Sequence, residues 1–423
     1  MSGGNDFRLG VAKKCINPAV PVRLAGYATR TAPYEMVRED IFTRVHYYTW
    51  NTGRLVFVYG DLLWWGSDFV TRMRKSLGAA HGLREEEVFF FASHSHSGPG
   101  TSRNFLPALE TVDAAYLDVL DAAIVDAVSL ARDDAEPVTV SRGDGSCDLN
   151  VFRRRLVNGS IEMLPNYDVP ADRRLTIVQC RRRDGSLKGA IVSYACHANV
   201  ANENSLHPDY PGIALRLVDE ANPGCVSMFF QGCTADIRPN CVVGRRFFAG
   251  SYAHAVTFAT DFAADCSAVM AKPGKELLPE PRTVRRRLTL PVRPAMASEE
   301  DIRSELDSDD PVMRQWAAAA LAKGNRKEEV LDMATIAFAP GLRFFTLSAE
   351  VAQDYAAHVR AICPEAVPVS CADGMIGYLP TAGEMREGGY EPDGSTRYFA
   401  LTGAFREEVD SLVRKTLTEL AAL

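Results

Sequence analysis

FFFASHSHSGPGTS, residues 89–102, is the stretch from which the rest of the chain is read. Val88 to Ala92 make a short, apolar, aromatic run, the pattern of a strand buried on both faces. Alternate residues of a strand share a face, so His94 and His96 are expected to point one way and Ser93 and Ser95 the other. Gly98, Pro99 and Gly100 then end the strand in a tight loop, where backbone can pass close to a ligand. Two imidazoles side by side can grip one metal ion, or one metal and one substrate. They can equally be hydrogen-bonded histidines capping a core strand, because short motifs match by chance.

Outward from this segment, strands and helices alternate. RLVFVYGDLLWW (54–65) reads as a strand, and Ser67 opens a helix with Phe69, Val70, Met73 and Leu77 on one face. Asp113 opens another, with Leu117, Leu120, Ile124 and Val128 at helical spacing. This order predicts an α/β fold, a large mixed β-sheet flanked by helices. Strands at 175–181 and 189–195, joined around Asp184-Gly185, carry a hairpin signal, so part of the sheet is antiparallel. TVRRRLTLPV, inside the Lys-, Pro- and Arg-rich stretch 269–293, reads as an edge strand. Amphipathic helices are expected at about 298–307 and 310–323, a core strand at LRFFTLSAE (342–350), and a last helix from about residue 405. No internal repeat stands out, and residues 1–423 are read as a single domain.

Composition excludes some functions. Apolar content of 47% and charged content of 24% are those of a soluble globular protein. A net charge of −7 argues against nucleic acid or an acidic membrane as partner. The start, MSGGNDFRLG, has no signal-peptide character, and no run approaches ~18 apolar residues. A cytoplasmic protein without a stable membrane anchor is expected. Ten scattered cysteines with no C-x-x-C pair read as reduced thiols, neither disulfides nor a zinc–thiolate site.

Four further strand ends carry reactive groups: ACHANVANENSLHPDYPG with His197 and Asp209, ADIRPN with Asp236 and Arg238, LSAE with Glu350, and GYLPTAGEMREGGYEP with Tyr378 and Tyr390. Each has a plain structural reading: a satisfied core histidine, an Asx-type turn, a first-turn glutamate facing a helix dipole, and two packed tyrosines. In open α/β sheets, however, ligands bind at the carboxyl ends of strands, so these ends together predict one cleft. Two imidazoles, a carboxylate and an oxygen ligand suit zinc, which lowers the pKa of a bound water to ~7.

The same residues form an ordered set of family motifs. SHSHSGPG matches a motif of the form THTHSGP, LNVFRRR an Asn-x-Asn-Arg segment, and ACHANV a second histidine motif. HPDYPG matches an Asp-x-x-Gly turn, ADIRPN resembles GDVSPN, and LSAE resembles PGE. GYLPT…GGYEP resembles a YITT…RYE region, its tyrosines twelve residues apart. With the Gly26-Tyr27 pair and the strand ending in Asp61, the chain resembles the neutral/alkaline non-lysosomal ceramidase family, over nearly the length of its N-terminal catalytic domain.

That resemblance implies the family's N-terminal-domain fold, without its C-terminal immunoglobulin-like domain. It implies a zinc-dependent hydrolase of linear amide (N-acyl) bonds, linked to sphingolipid metabolism. Carried over by position, the zinc ligands are His94, His197, Glu350 and Tyr378, with His96, Arg153 and Tyr390 facing the scissile amide. A phenolate ligand requires Tyr378 to ionise well below ~10. Three departures matter. Arg238 replaces the serine of GDVSPN, so Asp236 and Arg238 are expected to meet a polar or anionic substrate, unless Arg238 simply pairs with Asp236. Phe152 replaces an asparagine, which leaves Arg153 and Arg154 as competing matches. The missing leader and lipid-facing helix point to a small polar N-acyl substrate rather than ceramide. An ester or lactone hydrolase, and a non-catalytic metal-binding relative, stay open as alternatives, as does homo-oligomerisation. No G-x-S-x-G elbow supports a serine hydrolase.

Overall fold

Val88–Ala92 folds as a strand with all five side chains buried, as its unbroken apolar run requires. In this computed structural model, which describes residues 6–296, 298–324 and 326–423, it lies parallel to Gly53–Gly60. The first five residues of the segment read above for a leader lie outside the described residues. A parallel pair needs a crossover, and here it is the helix Ser67–His81, which buries Phe69, Val70, Met73 and Leu77 against the sheet. Asp113 caps the next helix, Ala114–Asp133, by accepting from the Tyr116 N–H, so the helix starts where the sequence placed it.

This arrangement recurs. Arg8–Cys15, Phe42–Trp50 and Gly53–Gly60 run antiparallel in succession before the parallel Val88–Ala92, and Glu136–Pro137 closes the far edge. Thr139–Ser146, Arg174–Arg181 and Leu187–Tyr194 repeat the succession, with helix Asp209–Ala221 leading to the parallel Val226–Gln231, and Lys275–Leu277 at the far edge. Arg282–Pro294, Glu328–Ala339 and Leu342–Leu347 repeat it again, with helix Gln353–Ile362, the parallel Ala366–Val369, and Gly403–Phe405 at the far edge. The mixed sheet is thus built as three five-stranded sheets of one topology, over residues 8–137, 139–277 and 282–421. The hairpin expected around Asp184-Gly185 is the pair Arg174–Arg181 and Leu187–Tyr194.

The three sheets meet along their parallel edges. Phe91 stacks on Phe230 at 3.8 Å between centroids, and Phe230 meets Phe344 edge-on at 5.4 Å. The Ser370 N–H donates to the Gln231 carbonyl at 2.8 Å, and the Asp373 N–H to the Phe90 carbonyl at 2.7 Å. Burying each such phenylalanine is worth about 1.5–3 kcal/mol. The loops that leave these strands are therefore gathered around one point.

Elsewhere, TVRRRLTLPV lies at an edge only in part. Arg282–Pro294 has one neighbour along 282–291 and is covered by Gly403–Phe405 at 292–294. Helices Glu299–Ser304, Pro311–Ala322 and Glu408–Ala421 lie close to their expected positions. All ten cysteines are free. Among the described residues no helix is long and apolar enough to cross a membrane.

Candidate active site

Strand pairing stops at Ala92, and His94 adopts a φ of 66°, a left-handed conformation uncommon outside glycine. Its direction is thus set by a turn, not by the alternation expected of a continuing strand. The His94 Nδ1 lies 3.1 Å from the Leu63 carbonyl, and the His197 Nδ1 lies 2.8 Å from the Thr234 carbonyl. A carbonyl only accepts, so each Nδ1 carries a proton and each Nε2 is left to face Glu350. Burial opposes a charge on His94, but Cys371 and Glu350 raise its pKa to about 10, so a metal there would displace the Nε2 proton of His94. Glu350 Oε2 stands 3.2 Å from His94 Nε2 and 3.3 Å from His197 Nε2. His96 joins them, and the three imidazoles offer ligand atoms within 4.8 Å of one another.

The donor set fits a cation. Nε2 of His94, Nε2 of His96 and Oε2 of Glu350 are buried and have no hydrogen-bond partner. Native proteins rarely leave such groups orphaned; a metal ion between His94 and Glu350 would satisfy two of them, and a water or substrate atom beside it the His96 nitrogen. Burial, with Arg153 and His94 beside it, pushes His197 down to about 3, and burial pushes His96 well below its ordinary value. Both rings are therefore neutral, as His197 must be to ligate a metal and His96 to accept a proton. Burial opposes ionisation of Glu350, but the facing His94 and His197 hold its carboxyl well below the usual range.

Two short parallel strands, Glu350–Val351 and Tyr378–Leu379, set Glu350 directly beside Tyr378. Burial and the Glu350 charge push the Tyr378 pKa well above its usual value, against the pull of Arg153. A phenolate there needs a further cation. The Tyr390 ring sits 5.6 Å from that of Tyr378, and burial likewise raises its pKa.

Arg153 reaches this group from the strand Asn150–Val157. Its Nη2 donates to Tyr378 Oη at 3.2 Å, and its Nη1 lies 3.5 Å from His197 Nε2. A bulge between Phe152 and Arg154 turns the two neighbouring arginines so that both reach Glu391. Arg154, however, is committed to Glu384, Glu387 and Glu391, so Arg153 is the one beside the imidazoles. Asp236 lies behind it. Its carbonyl accepts the Arg153 N–H at 2.8 Å, and its carboxylate accepts the Gln353 N–H at 2.9 Å. Asp236 thus braces Arg153 and does not pair with Arg238.

Sequence reasoning gave no role to Glu391 or Tyr27. Glu391 follows Tyr390 in GGYEP, and an acid beside a candidate catalytic tyrosine, facing a basic run elsewhere, was the available signal. The Tyr27 ring lies 5.0 Å from His96. Gly26 before it has a φ of 95°, and a Cβ there would stand 2.5 Å from His96 Nδ1, so only glycine lets the imidazole sit against this turn. The result is a buried floor of His94, His197, Glu350, Tyr378 and Arg153, with a half-buried rim of Tyr27, His96, Arg238 and Tyr390.

The family model for neutral/alkaline non-lysosomal ceramidase, N-terminal, matches residues 7–250, which include His94, His96, Arg153, His197, Asp236 and Arg238. The crystal structure of neutral ceramidase from Pseudomonas aeruginosa is similar with a TM-score of 0.77, over 99% of this chain and 74% of that one, at 18% identity. A ceramidase complexed with C2 is similar with a TM-score of 0.78, over 99% and 75% of the two chains, at 16% identity. Comparison with curated proteins gives no match. The two structures share the fold, and the sequence match spans more than half of the chain, through the histidine loops that the fold gathers. The chain belongs to the neutral/alkaline non-lysosomal ceramidase family.

Proposed function

We propose that the protein is a zinc-dependent hydrolase that cleaves the amide bond of an N-acyl compound, with residues 1–423 acting as one catalytic unit. Family membership supports hydrolysis of an N-acyl, lipid-type substrate. The observation that carries the metal reading is the orphaned Nε2 of His94 and Oε2 of Glu350, with Nε2 of His197 3.3 Å from that same oxygen. In this reading His94, His197, Glu350 and Tyr378 hold the ion, a nitrogen and oxygen donor set that zinc accepts. Zinc bound there supplies Lewis acidity and a water ionisable near pH ~7.

The chain's own residues do the rest. His96 is fixed through Nδ1 by the Gly26 carbonyl at 3.3 Å, which leaves Nε2 free to take the proton of the attacking water and pass it to the leaving nitrogen. Arg153 and Tyr390 donate to the amide oxygen as it gains negative charge. Its raised pKa keeps the Tyr390 proton in place for that role. Glu391 and Asp236 hold Arg153 in position.

The test is metal analysis of the purified protein and its His94→Ala variant. It is joined to an assay of acyl release from N-acylsphingosine and a panel of N-acyl amines, esters and lactones. Stoichiometric zinc in the parent, its loss in the variant, and turnover of amides are expected. Full zinc retention by His94→Ala, or no turnover of any amide by the zinc-loaded protein, would overturn the proposal.

A further inference from the structure

The rim of the site carries one guanidinium, that of Arg238, with no paired carboxylate. Arg238 extends from the short strand Ile237–Pro239, which pairs with the Arg153 strand so that Arg238 lies opposite Val151. Among the described residues it makes no ion pair. Its Nη1 contacts only the Met163 sulfur at 3.6 Å, its guanidinium lies over the Phe247 ring at 4.8 Å, and its Nε is buried without a partner. Arg30, whose guanidinium lies over the Tyr27 ring at 4.7 Å, donates to the carbonyls of Ala25, His96 and Glu203 and feels the charge of Asp209. The Tyr27 hydroxyl, on which both cations act, is buried with no hydrogen-bond partner. Beside its burial, Arg238 feels Tyr27, Arg153 and Tyr378, and its strand pairs with the one that carries Arg153, so it lies within electrostatic reach of the floor of the site.

A half-buried guanidinium without a counter-charge is costly, and a planar carboxylate is its best-matched partner. We propose that the substrate carries a carboxylate bound by Arg238 and the Tyr27 hydroxyl, so that the compound cleaved is an N-acylated amino acid. One guanidinium fork and one phenol match the two oxygens of a carboxylate. Phe247 and Met163 flank that position with apolar surface. This rests on the hydrolase reading above. Water adds across the C–N bond, the acyl carbon taking the hydroxyl to give a carboxylic acid and the nitrogen taking the proton to release the amino acid.

The test separates binding from turnover. The probe is the ketone isostere of N-hexanoylglycine, in which a methylene replaces the amide nitrogen, compared with the same ketone ending in a carboxamide. Calorimetric titration of zinc-loaded protein is expected to give about ten- to a hundredfold tighter binding of the carboxylate. R238Q removes that preference, R238K retains part of it, and Y27F weakens it. Equal binding of the two probes by the parent overturns the inference. So does a preference that survives in R238Q, since the carboxylate is then held elsewhere. Hydrolysis of N-hexanoylglycine is measured alongside. A carboxylate preference with no cleavage of N-hexanoylglycine or of any amide in the panel leaves the carboxylate site at Arg238 standing and removes the hydrolase reading, and with it the N-acyl amino acid as substrate; cleavage of neutral amides without the preference overturns the inference and leaves the hydrolase reading.

Discussion

The Arg153–Glu391 pair offers the sharpest test of how the site is held. Both side chains are about 2% exposed and meet at 2.9 Å, and Glu391 is the only carboxylate paired with Arg153 among the described residues. Arg154 keeps Glu387 at 3.1 Å and Glu384 at 3.4 Å, so replacing Glu391 by glutamine strands the charge of Arg153 above all. Two unit charges about 4 Å apart attract by about 4 kcal/mol at an effective dielectric near 20. Breaking one side of a buried pair costs about 3–5 kcal/mol, because the survivor stays buried and unpaired. Glutamine retains one acceptor, so about 3 kcal/mol is expected for Glu391→Gln in urea denaturation followed by tryptophan fluorescence. Glu387→Gln, at an exposed partner of Arg154, should cost under about 1 kcal/mol. Turnover should fall with Glu391→Gln by about tenfold or more, because Arg153 loses the contact that aims it at Tyr378. A stability loss below about 1 kcal/mol, with turnover intact, would refute the view that Glu391 fixes Arg153.

Gly26→Ala should push the His96 ring away and lower turnover by about tenfold or more while zinc content stays unchanged; metal analysis checks this, and loss of zinc would make His96 a ligand. Tyr390→Phe should lower kcat by on the order of a hundredfold with KM little changed, read from steady-state kinetics. His46 is buried with Nε2 2.7 Å from the Val226 carbonyl, and burial pushes its pKa down to about 4. The unfolded chain protonates this group near pH ~6.5 and the folded one only near 4, so its stabilising contribution is full above about 6.5 and is lost as pH falls toward 4, by about 3 kcal/mol. His46→Gln should lack that loss, so urea midpoints of parent and variant should converge or cross between about pH 7 and pH 4; a constant difference across the range would contradict it.

Local chemistry made much of the molecule legible. The apolar run 88–92, the Asp113 cap and the spacing of Phe69, Val70, Met73 and Leu77 each dictate an element through burial or capping, and each element is there. Adjacency of Tyr378 to Glu350 was not deducible from either segment, because it depends on the pairing of two strands of two residues each, too short to carry a periodic signal. The threefold recurrence of topology leaves no sequence signal, since strand order constrains polarity patterns and loop lengths far more than residue identity. The turn at His94 was hidden for a different reason: alternation holds only while a strand continues, and nothing in SHSHS marks where pairing stops. Glu391 escaped because a buried ion pair needs both partners, and its arginines lie more than two hundred residues away.

The recurring topology also bears on how a bound ion feeds back on the fold. His94 lies in the first sheet unit, His197 in the second and Glu350 in the third. Bringing together chain positions this far apart costs loop-closure entropy that grows only slowly with the length enclosed. A cation gripped by all three therefore works as a rivet through the seams. Chelation should loosen the units from one another before it melts any of them, with early proteolytic nicks near residues 138 and 278–281, where one unit hands over to the next.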